Sequence, residues 1–189
     1  MNRLGAETLI RNLPAATARP ALIKQLVTAN VAAYAYYSYA SGAGKIRYRN
    51  FWTLQPESGP QCLFTFHFCH TNLAPLLFNV GLLATLGSHH VARHGVNHFA
   101  KIFGISAAGA ALFAGYDMRT NAKQTQAGGL GVSAGFLTYY IMRDPSALKY
   151  LRFTPLSILA AMTFYGVYYD DKAVLGGLAA GYGAFLAAL

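Results

Sequence analysis

Apolar stretches long enough to cross a bilayer recur along this chain, and that recurrence limits its possible folds more than any single motif does. They fall at roughly residues 24–43, 71–92, 97–116, 128–142, 148–168 and 172–189. In hydrocarbon each backbone polar group must be satisfied internally, which runs of this kind achieve as helices. Composition agrees: 54% of the 189 residues are hydrophobic and 11% are charged, where soluble domains are nearer a quarter charged. The expectation is an all-α, polytopic membrane protein. Six transmembrane helices would form one domain, residues 23–189, preceded by a basic segment, residues 1–22.

The net charge is +9. The basic residues do not gather into one patch, as a nucleic-acid surface requires, but fall in short segments between apolar runs. With six helices, the segments on the N-terminal side sum to +7 and those on the other side to +2. Basic residues are retained inside, so both termini are expected in cytoplasm or mitochondrial matrix. Residues 1–22 carry Arg3, Arg11 and Arg19 against one acid, Glu7. An arginine-bearing, acid-poor start of this kind is similar to a mitochondrial targeting segment, here expected to be retained. An interfacial anchor helix or a cytoplasmic tail are the other readings. Arg3, Arg11, Arg19 and Arg93 are the candidate contacts to acidic phospholipid or to a neighbouring subunit. Tyrosines 34, 36, 37 and 39 end the first helix, and Phe164, Tyr165, Tyr168 and Tyr169 end the fifth. The two sets would form an aromatic belt at one surface.

Two stretches depart from a simple bundle. Residues 45–70 are too long and too aromatic for a turn, with Tyr48, Phe51, Trp52, Phe64, Phe66 and Phe68, and suit a loop lying in the interface. The run 128–142 gives only about 22 Å of helix against a core of about 30 Å. A sheltered loop must therefore dip in to meet it. Ser133 sits at that helix start, in GGLGVSAGFL. Gly104, Ala107, Ala108, Ala110 and Ala111 give the third helix a small-residue face for close packing.

Other constellations point to no cofactor and no metal. Cys62 and Cys69 are too few for a disulfide scaffold and read as unpaired, partly buried thiols, a bridge between them being the alternative in an oxidising compartment. With His67 and His70 they have the ligand types for a tetrahedral site, but the aromatic residues between them favour loop packing. His90, His94 and His98 would stack on a continuous helix, yet Gly95 interrupts them, so they read as interfacial polar residues. His70 and His90 lie at opposite ends of one helix, unsuited to bis-histidine haem. The runs hold no central Asp, Glu, Lys or Arg, which argues against pumps and transporters. Asn79 is the main polar exception, expected to form an interhelical hydrogen bond.

Four motifs then occur in order. They are HTNLAPLLFN at 70–79, LGSHHVARHGVNHF at 86–99, GVSA at 131–134 and AVLGGLAAGYGAF at 173–185. Together they resemble the rhomboid family of intramembrane serine proteases and their inactive relatives. The resemblance implies that Ser133 stands at the nucleophile position and that His70 and Asn79 stand at oxyanion-binding positions. Gly177 and Gly181 stand at the packing glycines of the last helix. It also exposes departures: Pro75 for a second histidine, Ala134 for the glycine after the serine, Val91 for a glutamate and Val174 for the catalytic histidine.

A serine hydroxyl needs a base within reach to become a nucleophile. All six histidines lie between His67 and His98, and Lys172 sits beside Asp170 and Asp171 as a hydrated charge. The expectation is a pseudoprotease with vestigial Ser133, His70 and Asn79. It would serve as a structural subunit of a large mitochondrial inner-membrane complex, respiratory chain or ATP synthase, with membrane subunits and phospholipids as partners. The alternatives are a client-binding component of a translocation or quality-control machine, and an active protease with an unusual base.

Overall fold

The computed structural model describes residues 21–55, 57–120, 129–144, 155–168 and 171–187, and every regular element among them is helical. α1 is Ala21–Tyr39, α2 is Gly42–Trp52, and α3 is Cys62–Thr65, which continues as a 3-10 turn at Phe66–Phe68. α4, Leu73–Leu82, passes through a π turn at Leu83–Gly87 into α5, Ser88–His94. α6 is Val96–Thr120, α7 is Gly129–Arg143, α8 is Pro155–Tyr168 and α9 is Lys172–Leu186. By itself α6, at 25 residues, is long and apolar enough to span a bilayer, at about 37 Å. Cys62–Phe68 and Leu73–His94 satisfy the same criterion as a pair bent by 92°, and α9 is apolar but shorter.

The element ends have local causes. α1 stops at Tyr39 rather than 43 because Ser41, in extended backbone, opens α2. The stretch 45–70 is therefore largely helix and not the loop its composition suggests. Gly95 separates α5 from α6 with φ of 84°, in the left-handed region that favours glycine. Pro155 opens α8, where a missing N–H costs no helix bond. Asp171 caps α9, its carboxylate accepting from the Val174 N–H at 3.1 Å. The segment before α7 and residues 1–20, with Arg3, Arg11 and Arg19, lie outside the described residues.

α7 is the central helix: every residue from Gly131 to Ile141 is buried. α9 lies against it without side chains between. A Cβ on Gly177 would stand 1.8 Å from the Gly131 carbonyl oxygen, and one on Gly181 would stand 2.0 Å from that of Gly135. In lipid there is no water-driven force between apolar helices, so close backbone approach of this kind carries their association. α6 adds Gly109, whose own Cβ would meet the Gly176 carbonyl at 2.7 Å. The packing face of α6 matches the sequence expectation at Ala110 and departs from it at Gly104. Ser106, Ala110 and Ala114 are buried, whereas Gly104 has nothing within 4 Å of a built Cβ. Large residues close the other half of the core, with Ile23, Leu83, Phe99, Ile102 and Phe136 in one cluster.

Candidate functional site: a buried amide cluster around Ser133

Three separate segments bring four polar side chains together. α2 is pinned to α1 and to the 3-10 turn by a small core of Ala33, Tyr48 and Cys69, with Tyr37, Trp52 and Phe68 around it. That core fixes the bend at residues 69–72, where His70 sits. α4 then leaves the bend and carries Asn79 inward. α7 begins at Gly129, where a Cβ would fall 2.2 Å from the His70 ring, so only glycine leaves room for the imidazole. One turn on, α7 presents Ser133.

Asn30, His70, Asn79 and Ser133 are all buried. The His70 Nε2 and Asn79 Nδ2 each lie 2.8 Å from the Asn30 Oδ1, and 3.2 Å from one another. The Ser133 hydroxyl donates to the Asn79 Oδ1. The Asn30 Nδ2 donates to the Leu26 carbonyl at 2.7 Å. One proton assignment satisfies the network: neutral His70 protonated on Nε2, with two N–H donors converging on one carboxamide oxygen. A buried polar group without a partner is expensive, and here the chain supplies each partner itself.

This arrangement has a chemical consequence. The acceptor of the Ser133 proton is a carboxamide oxygen, which is not a base at any ordinary pH. The two N–H groups that could stabilise a developing oxyanion point at the Asn30 oxygen. Val174 is fully buried and its Cγ1 faces Gly166 of α8; a valine offers no proton acceptor.

His70, Asn79 and Ser133 thus meet in one cluster. Asn30 is the member that the sequence reading passed over, where Asn79 alone was singled out. Its signal was a lone amide within VTANVAAY, an apolar run otherwise free of strong polar groups. Gly177 and Gly181 lie on the α7 seam. Arg93, a candidate lipid or partner contact, forms an ion pair with Asp144 at the end of α7, its side chain still 58% exposed.

Cys62 and Cys69 are buried free thiols. The Cys62 Sγ donates toward the Asn50 and Phe51 carbonyls at 3.3 and 3.4 Å. Among the described residues no group of three His, Cys, Asp or Glu side chains stands where it could hold a metal. The histidines at the other end of α7 depart from expectation. Gly95 does not separate them: the rings of His90, His94 and His98 lie 4.7, 5.1 and 5.5 Å apart, centroid to centroid.

The described residues form helices, and the core helix meets its neighbours through glycines with a buried serine at that seam, an architecture suited to an integral membrane protein. The family model for the rhomboid domain matches residues 51–188. The chain belongs to the rhomboid family, and is a membrane protein. α1, with Asn30, precedes the matched segment. No curated protein matches the chain.

Proposed function

We propose that this protein is a non-catalytic rhomboid-family member that crosses the mitochondrial inner membrane six times and serves as a structural subunit of a large complex there. The six spans are α1, residues 73–92 of the α4–α5 rod, α6, α7, α8 and α9, with His94 at the surface turn. The observation that carries the reading is the fate of the Ser133 proton. It is donated to the carboxamide of Asn79, a group that cannot accept it covalently. A nucleophile needs a base in that position, so the fold persists here with its packing retained and its proton chemistry gone. The mitochondrial address rests on the basic, acid-poor residues 1–22.

The test is native purification in a mild detergent followed by identification of co-migrating chains. Stoichiometric membrane subunits of one respiratory or ATP-synthase assembly are the expected result. Migration as a free monomer, or a heterogeneous set of clients, rejects it. A serine-reactive fluorophosphonate applied to the same preparation should leave Ser133 unlabelled. Labelling there would restore the protease reading.

A further inference from the structure

We propose that the histidines at the α5–α6 turn form a proton-responsive clamp on the C-terminal end of α7, closed when neutral and released on acidification. Two contacts make the clamp. The His90 Nε2 lies 2.9 Å from the His98 Nδ1, and the His98 Nε2 lies 3.3 Å from the Tyr139 hydroxyl. Beside them the His89 Nδ1 lies 2.6 Å from the Tyr140 hydroxyl. A nitrogen-to-nitrogen hydrogen bond needs one donor and one bare acceptor. If both imidazoles are protonated, two N–H groups face each other and the bond is lost. The tyrosine hydroxyls can donate or accept, so His90–His98 is the step that fails first.

The surroundings set the direction. Arg93 and His94 on α5, Arg143 at the end of α7 and Asp144 just after it are the charged and titratable neighbours, with Tyr139 and Tyr140 facing the rings. Lys24 is exposed on α1, which packs on the preceding π turn. Asp144 is committed to Arg93. A further positive charge on the rings therefore enters a net basic site. The His90 Nδ1 is buried without a partner, so a proton placed there has no acceptor. His94 shows the trend outside the membrane: burial first, then His98, Arg93 and Arg143, hold its imidazole below the usual histidine range, while Asp144 works the other way.

The sign follows from linkage. Protonating both rings turns the His90–His98 contact into two facing N–H donors, so the folded state resists those protons more than the unfolded one and stability rises with pH. The clamp is formed when the rings are neutral and weakens on acidification. What loosens is the last turn of α7, residues 139–144, about 9 Å along the helix from Ser133.

The experiment compares full-length wild type with His98→Gln and with His94→Gln/His98→Gln in detergent at pH 8 and pH 5.5. The thermal midpoint and hydrogen exchange, corrected for intrinsic pH dependence, are the readouts. Wild type should lose roughly 2–4 °C at pH 5.5, with protection lost at residues 139–144 before α9. The double variant should show little change with pH. Should it fail to fold, His98→Gln decides alone, because His98 is the ring shared by both contacts; that variant should show a reduced loss. An unchanged loss in the variants, or protection lost first in α9, overturns the proposal. So does a chelator that reproduces the loss at pH 8, because a bound metal would then be holding the rings.

Discussion

α7 is held at both ends by side-chain hydrogen bonds from other helices, but the two ends use different chemistry. Near its start, Ser133 meets Asn79, Asn30 and His70 in a network dominated by carboxamides, closed and buried. Near its finish, Tyr139 and Tyr140 meet imidazoles that are partly accessible from the α5–α6 turn. Carboxamides and hydroxyls do not titrate near neutrality, whereas imidazoles do. The Ser133 end thus holds one imidazole, His70, sealed among carboxamides, whereas the other end gathers several at the turn, and it should carry more of the pH response. What fixes the helix between them is the glycine seam with α9.

The seam gives the largest expected effect. Gly177→Val places a branched side chain where a Cβ already falls 1.8 Å from the Gly131 backbone oxygen. Backbone cannot yield as a flexible side chain can, so overpacking should cost about 3 kcal/mol or more. Both ends of α7 should loosen together, seen as loss of folded protein in mild detergent. Retention of a wild-type thermal midpoint would mean that α9 does not approach α7 as described.

Asn30→Leu breaks one end alone. It removes the oxygen that accepts from both His70 and Asn79, leaving two buried donors unpaired. The cost should be about 2 kcal/mol. A double-mutant cycle with Asn79→Leu measures the coupling. A coupling near zero would mean that the amides do not interact.

How much of this was legible in the sequence depends on the kind of signal. Among the described residues, apolar run length placed the long helices to within a few residues at most ends, because length and hydropathy are local. Ser133, His70, Asn79 and the α9 glycines were legible because they occur in short motifs at fixed order. Asn30 was not. It sits in α1, outside the matched segment, and a single amide in an apolar run carries no partner information. The helical character of residues 45–70 was hidden by aromatic residues, which pack as well in a loop as in α2. The meeting of His90, His94 and His98 was hidden by Gly95. A helix break usually scatters residues spaced by four, but here α6 folds back so that His98 returns to His90.

Ser133→Ala sharpens the contrast in chemistry. The hydroxyl gives one hydrogen bond to Asn79 and no proton to a base. Removing it should cost about 0.6 kcal/mol, the average for hydrogen bonds within membranes. Under the proposed subunit role, complex levels after gene replacement should be unaltered. A defect that cysteine in place of Ser133 repairs, but alanine does not, would indicate a retained nucleophilic role.

Arg93→Ala has the smallest expected effect, and its value lies in how it changes with pH. The Arg93–Asp144 pair joins α5 to the end of α7, but with the arginine side chain 58% exposed it should contribute roughly 0.5 kcal/mol or less, declining as salt is added. At pH 8 the variant should therefore be slightly less stable than wild type. Acidification should narrow the gap. Arg93 depresses the neighbouring His94, and Asp144, once released from its pair, acts on His94 in the opposite direction. Both changes raise the folded-state value toward the unfolded one, which reduces the stability lost as pH falls. The thermal midpoints of the two proteins should thus converge between pH 8 and pH 5.5. Ser133→Ala removes a bond to a carboxamide and not to His70, and should run parallel to wild type over the same range. Parallel curves for Arg93→Ala would place the pH response of α7 away from the α5–α6 turn.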